Sequence, residues 1–324
     1  MNGFSPLAPI GRLRFRRPRL VVLALAGAIV AACGGSAANN GGSDGSGAGP
    51  SGKHLSVVAA ENFWGSITTQ LGGSHVSVTS IVTDPNADPH DYQSSPSNAR
   101  AFATADYVIV NGAGYDGWAA SLLSANQNGS RKVFTVADLL GKKEGDNPHF
   151  WYSPDSVTKV ADEITRDLSS IDSSDSAYFT QQRTAFDASL KPYRDRIAAI
   201  KQKFPGQKIA ATESIFQYMA DALGLDLISP PEFMKAVAEG NDPPADTVTA
   251  FQQELQTKQA TVLVYNQQTS TDVTNNLKQL ATQQNIPVVG VTETIQPPDT
   301  TFQLWMVGEL NALQNALDAA ALTK

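Results

Sequence analysis

From Leu55 to Val291 the chain repeats one unit, a short apolar run followed by a segment with helical periodicity, and this repetition constrains the fold most. Runs at Leu55–Ala60, Val76–Val82, Tyr107–Val110 and Lys132–Thr135 read as strands, with helices at Phe63–Leu71, Ser97–Ala105 and Trp118–Ser124 between them. The rhythm breaks between Ser174 and Phe204. There Phe179, Phe186, Leu190, Tyr193, Ile197, Ile200 and Phe204 form one helical stripe, predicting a linking helix roughly 45 Å long at about 1.5 Å per residue. Pro192 lies inside it and should kink or divide it. The βα rhythm then resumes, with strands at Lys208–Ala211, Leu225–Ile228, Ala260–Tyr265 and Pro287–Val291 and a last helix from Phe302 to Leu317. Parallel neighbours need crossover helices, so the expected fold is α/β: two lobes, each a mainly parallel sheet flanked by helices, joined by a long linking helix. Ligands of such sheets sit at the carboxyl ends of the strands.

The N-terminus has a different character. Arg12, Arg14, Arg16, Arg17 and Arg19 precede an apolar stretch, Leu20–Ala32, too short to span a bilayer comfortably, which predicts a signal peptide over residues 1–32. It ends in Val30-Ala31-Ala32-Cys33, which resembles a bacterial lipobox and implies cleavage before Cys33 and lipidation of its thiol. Cys33 is the only cysteine, so no internal disulfide and no cysteine metal site can form. Residues 33–53 are almost entirely Gly, Ser, Ala and Asn, a tether reaching roughly 25 Å. The expected organisation is then an N-terminal lobe at 54–173, a linking helix at 174–204 and a C-terminal lobe at 205–324, held at the extracytoplasmic face of the cell membrane as a monomer. Without the five N-terminal arginines, 19 of the 24 basic residues remain against 31 acidic ones, a net charge of −12 that argues against a nucleic-acid partner.

Chemistry is concentrated at two matching turns. Asp88-Pro89-His90 follows a predicted strand, and Asn147-Pro148-His149 nearly repeats it. In each, proline fixes φ and removes an N–H, so an imidazole is presented from a rigid extended turn. Two such turns in a chain of four histidines point to a metal site. Asp91 and Asn147 stand beside the imidazoles as candidates to orient them. His54, beside the tether, and His75, in a Gly-Gly-Ser-His turn, read as solvated.

These motifs carry a resemblance. Asp88-Pro89-His90-Asp91-Tyr92 with Ser95-Pro96-Ser97, and Asn147-Pro148-His149-Phe150-Trp151 with Pro154, are similar to the substrate-binding lipoproteins of bacterial zinc and manganese ABC importers, the cluster A-I solute-binding proteins. The resemblance covers nearly all of the chain after the tether. It implies that His90 and His149 bind the metal, with Glu213 of Thr212-Glu213-Ser214 as third ligand. The family usually places an aspartate after the last strand; here Glu293 stands there, with Asp299 as the other candidate. It also implies a membrane permease as partner, lipid anchorage through Cys33, and no enzymatic activity.

Two neutral imidazoles and two carboxylates neutralise a divalent cation and suit Zn²⁺, Mn²⁺ or Fe²⁺. Oxygen-rich ligation leans toward Mn²⁺ relative to a three-histidine site, while the Irving–Williams order keeps Zn²⁺ tight in almost any such cage. Gly141-Lys142-Lys143-Glu144-Gly145 occupies the place where many relatives carry a histidine-rich loop, which removes one argument for zinc. Two ligands from each lobe would couple capture to lobe closure. Imidazoles must be neutral to bind, so affinity is expected to fall as pH drops through about 6. Other readings stay open. Glu213 can serve as a helix N-terminal carboxylate and Glu293 as a turn residue. Two His and one Glu also form the ligand set of zinc hydrolases, and a metal-binding adhesin would carry the same site.

Overall fold

The computed structural model describes residues 53–86 and 88–322. The signal peptide, Cys33 and nearly all of the tether lie outside the described residues. The described residues belong to one compact unit. Its first half contains β1 (Leu55–Glu61), α1 (Asn62–Gly72), β2 (Val76–Val82), α2 (Pro96–Thr104), β3 (Tyr107–Val110), α3 (Gly117–Ala125), β4 (Lys132–Thr135), α4 (Val136–Leu139) and α5 (Pro154–Ile171). Two helices follow, α6 (Ser176–Ser189) and α7 (Lys191–Lys203). The second half contains β5 (Lys208–Ala211), α8 (Gln217–Leu223), β6 (Asp226–Leu227), α9 (Pro231–Ala238), α10 (Ala245–Gln256), β7 (Leu263–Asn266), α11 (Asp272–Gln283), β8 (Val288–Val291) and α12 (Phe302–Ala321).

Each half builds a four-stranded, all-parallel sheet, in the orders β2-β1-β3-β4 and β6-β5-β7-β8, so the two lobes share one topology. The central strands are buried on both faces, as parallel strands covered by helices must be. Val57 and Ala59 of β1 join the large core that runs through both lobes, while Val58 and Ala60 join a smaller cluster with Phe102 and Ala119 on the other face. β5 divides in the same way, Ile209 and Ala211 into the shared core and Ala210 into a cluster with Phe233 and Phe251. The order reverses beside β1 and beside β5, which opens a crevice at the carboxyl edge of each sheet.

The linking helix is two helices. Pro192 is the second residue of α7, where its missing N–H is harmless, and Leu190 lies at the junction with α6. α6 packs on α5 and α1, α7 on α12 and α8, so each piece is anchored to a different lobe. The stripe residues Phe179, Phe186, Leu190, Tyr193 and Ile200 are buried along both.

Three helices and one histidine differ from the sequence reading. α5 extends for 18 residues with Val157, Val160, Ala161, Ile164 and Leu168 buried, capped by the Ser153 side chain accepting from the Ser156 N–H. α4 and α9 are short, with few turns to show a period. His75 is buried rather than solvated: its Nδ1 lies 2.6 Å from Asp175 Oδ2 and its ring stacks on Tyr178 at 3.8 Å, pinning the end of α1 to the start of α6. No helix among the described residues is long and apolar enough to cross a membrane.

Candidate metal centre

Both proline-histidine turns are built the same way. Pro89–Asp91 is one short 3-10 turn after β2, and Asp88 Oδ1 accepts the His90 backbone N–H at 2.9 Å. Asn147 Oδ1 accepts the His149 N–H at 3.1 Å, and also lies 2.7 Å from His149 Nδ1. An amide oxygen only accepts, so His149 carries its proton on Nδ1 and turns Nε2 toward the site. Asn147 thus orients an imidazole, whereas Asp91 is exposed. The second turn follows β4 at a distance, with α4 between them. It still reaches the sheet edge, because Asn111, directly after β3, donates from Nδ2 to the Pro148 carbonyl at 2.9 Å.

The second lobe supplies carboxylates from strand ends. Glu213 follows β5 by two residues in extended backbone, and Glu293 follows β8 by two. The turn carrying Glu293 is held by Gln268, whose Oε1 accepts the Glu293 N–H at 2.7 Å and the Thr294 N–H at 2.9 Å. On its other side, Glu309 Oε1 accepts the Thr292 N–H at 2.9 Å.

His90, His149, Glu213 and Glu293 each offer one ligand atom, and these atoms all lie within 4.8 Å of one another. His149 Nε2 is 3.0 Å from Glu213 Oε1, and His90 Nε2 is 3.3 Å from Glu293 Oε2. His149, Glu213 and Glu293 are wholly buried, while the His90 side chain is 15% exposed, so the group opens on the His90 side. His90 Nε2, His149 Nε2 and Glu213 Oε1 make no aligned hydrogen bond among the described residues. Buried polar atoms turned toward one another without an aligned hydrogen bond are what a cation would satisfy. Asp299 is exposed and outside the group.

Charge is concentrated here. Burial alone would push the His90 imidazole down, but Glu293 and then Glu213 outweigh it and raise it to about 9. Burial would raise Glu293, yet the His90 and His149 rings and the Tyr115 hydroxyl hold it below the usual carboxylate range. Burial, followed by repulsion from Glu293, raises Asp88 to about 6.

Several surrounding residues escaped the sequence reading. Tyr115 donates to Glu293 Oε2 at 2.7 Å and lies edge-on to His90, with ring centres 4.7 Å apart. Thr269 donates to Glu213 Oε2 at 3.0 Å. Asn266 donates from one Nδ2 to Glu213 Oε2 and, at 2.8 Å, to Glu293 Oε1. The polar end of the Leu-Val-Tyr-Asn strand was a visible signal for Asn266, since it falls at the carboxyl edge of a sheet. Tyr115 lies in a loop and carried none. Outside the ligand group, a cavity of about 900 Å³ is lined by His90 together with Asp91, Glu144, Asp146 and Glu239, an acidic approach that favours cations.

A family model described as zinc-uptake complex component A, periplasmic, matches residues 57–316. The manganese-binding lipoprotein MntA of Halalkalibacterium halodurans is 26% identical over 192 residues, 58% of this chain and 64% of that protein. The manganese ABC transporter substrate-binding lipoprotein PsaA of Streptococcus pneumoniae serotype 4 is 27% identical over 228 residues, 64% of this chain and 68% of that protein. The chain thus spans about two thirds of the length of these relatives. Among solved structures, the periplasmic zinc-binding protein TroA of Treponema pallidum superposes with a TM-score of 0.70 at 15% identity, covering 82% of this chain and 99% of that one.

Proposed function

The chain belongs to the zinc-uptake complex component A periplasmic family, and from that membership we propose that it captures one divalent transition metal ion between its lobes and delivers it to a membrane ABC importer. The ion is cargo, and the family is one of uptake components rather than enzymes. The observation that carries this reading is the convergence of two imidazoles from one lobe and two carboxylates from the other, with their ligand atoms within 4.8 Å. In it, His90 Nε2, His149 Nε2, Glu213 Oε1 and Glu293 Oε2 ligate Zn²⁺ or Mn²⁺, and Fe²⁺ fits the same nitrogen and oxygen donors. The protein works as a monomer on the extracytoplasmic face, tethered through lipidated Cys33, with the importer's permease as partner. Support for the tether is the sequence of residues 20–53 and the lipoprotein names of the relatives.

Calorimetric titration of Zn²⁺ and Mn²⁺ into metal-stripped protein tests the reading. One ion per chain is expected, and His90→Ala combined with His149→Ala should abolish stoichiometric binding. Unchanged stoichiometry in that double variant would overturn the ligand assignment, and metal-dependent hydrolysis of generic esters or peptides would overturn the transport reading.

A further inference from the structure

The outer oxygens of the two carboxylates are already taken by one side chain. Asn266 ends β7 and is 1% exposed. Its Oδ1 accepts the Gln268 backbone N–H at 3.0 Å, a contact only the oxygen can make, so Nδ2 faces the site. The two N–H bonds of that nitrogen go to different ligands, one to Glu213 Oε2 and one to Glu293 Oε1. Thr269 adds a second donor to Glu213 Oε2. What remains turned inward is one oxygen from each, Glu213 Oε1 and Glu293 Oε2, beside the two Nε2 atoms; Glu293 Oε2 also accepts from the Tyr115 hydroxyl at 2.7 Å, which leaves it a lone pair for an ion.

We infer that Asn266 sets the coordination number of this site: by occupying the outer oxygen of each carboxylate, it holds both to one-oxygen ligation and selects ions satisfied by four ligands, Zn²⁺ above all, over Mn²⁺. This rests on the metal-capture reading above and refines its substrate. Zn²⁺ has no d-electron preference and is at home with four tetrahedral nitrogen and oxygen ligands. Mn²⁺ favours octahedral, oxygen-rich surroundings, and in a buried site the extra oxygens would have to come from carboxylates binding through both atoms. Two Glu ligands could supply them. Here that swing is opposed twice by the same amide, and water can approach only from the His90 side, since the other three ligands are wholly buried. The oxygen count that leans toward Mn²⁺ in the sequence is therefore halved by what stands behind it.

Cobalt(II) reports coordination number through the intensity of its visible d–d absorption, strong when four-coordinate and weak when six-coordinate. Wild-type protein loaded with one Co²⁺ should absorb strongly. Asn266→Ala should lose intensity, and the ratio of Mn²⁺ to Zn²⁺ dissociation constants, measured by competition, should fall by about tenfold or more, the scale on which residues behind a metal ligand act. Asn266→Ser, whose single hydroxyl cannot reach both carboxylates, should move both readouts the same way if the alanine variant fails to fold. A merely structural role would weaken both metals alike and leave the Co²⁺ spectrum unchanged, which overturns the inference. So would one Co²⁺ per wild-type chain with the weak six-coordinate spectrum, a result that leaves metal capture standing. Wild-type protein that takes up no Zn²⁺, Mn²⁺ or Co²⁺ would overturn both.

Discussion

At the scale of single residues, the proton on His90 is the competitor that an incoming ion meets first. Packed between Glu293 and Glu213, the metal-free imidazole holds its proton up to about pH 9, so at neutral pH an ion must displace it. The window for affinity loss therefore lies higher than the pH of about 6 expected of an ordinary histidine. The sign follows from the raised value: well above it no proton competes, and below it apparent affinity should drop by about tenfold per pH unit if one proton is displaced. Titrations at pH 8 in buffers of different ionisation enthalpy should show about one proton released per ion. Affinity flat from pH 9 to pH 7 would refute the coupling. The placement of His90 and His149 was legible because proline makes a turn visible in sequence, whereas Glu213 came only with the family resemblance. Asn266, Tyr115 and Thr269 were not read, since their importance lies in which oxygen they occupy, and that depends on how separate strand ends meet. His75 was misread for the same reason, because Asp175 lies 100 residues away.

Among elements, the turn after β8 decides whether Glu293 stands in place. Gln268 accepts two consecutive backbone N–H groups there, Glu293 and Thr294, both buried, and its amide also reaches the Asp84 carbonyl of the first lobe at 3.4 Å. Gln268→Ala should leave two buried donors unsatisfied, destabilising the metal-free protein by about 3 kcal/mol and weakening metal binding with it. Denaturant unfolding would measure the first and competition titration the second; a stability loss under about 0.5 kcal/mol, the range of ordinary surface changes, would show that the turn holds itself. A second anchor carries its own pH signature. Burial pushes Glu309 up to about 7, and Tyr152 Oη lies 2.7 Å from Glu309 Oε2 and 2.8 Å from the Thr292 carbonyl. A phenol has one proton to give, so both contacts are satisfied when Glu309 is protonated and donates to Tyr152. The folded state then retains a proton that the unfolded chain loses above pH 4.5, and this contribution to stability fades as pH rises through about 7. Glu309→Gln, which donates at any pH, should flatten that slope in thermal melts between pH 5 and pH 8. The βα elements of both lobes were legible because period and length agree there. α5 escaped because its stripe of Val157, Val160, Ala161, Ile164 and Leu168 is narrow and set in a largely polar segment; α4 and α9 are too short for periodicity to identify.

Across the whole molecule, the ligand group sits on a seam that is itself well packed. Tyr152 of the first lobe packs edge-on to Phe216 and Trp305 of the second, with ring centres 5.9 and 6.1 Å apart, within the single large core. Polar contacts repeat the link: Asn62 Oδ1 accepts the Ile295 N–H at 3.1 Å, Ser66 Oγ accepts the Phe302 N–H at 3.1 Å, and the Tyr218 hydroxyl donates to the Asn147 carbonyl at 2.9 Å. Large-scale opening of the lobes to admit the ion would have to break this seam, including apolar area worth roughly 25 cal/mol per Å². Opening confined to the His90 turn would leave it intact, and that turn borders both the acidic cavity and the exposed edge of the site. The two lobes should therefore unfold together. Calorimetry should show one transition in metal-free and in loaded protein, with the loaded midpoint higher by about 5–10 °C at a free ion concentration near one hundred times the dissociation constant, and a chelator should reverse the shift. Solution scattering should give the same radius of gyration in both states. Two transitions, with the ion moving only one, would mean that the lobes are independent and the shared core does not join them; a marked contraction on loading would restore whole-lobe closure as the capture step.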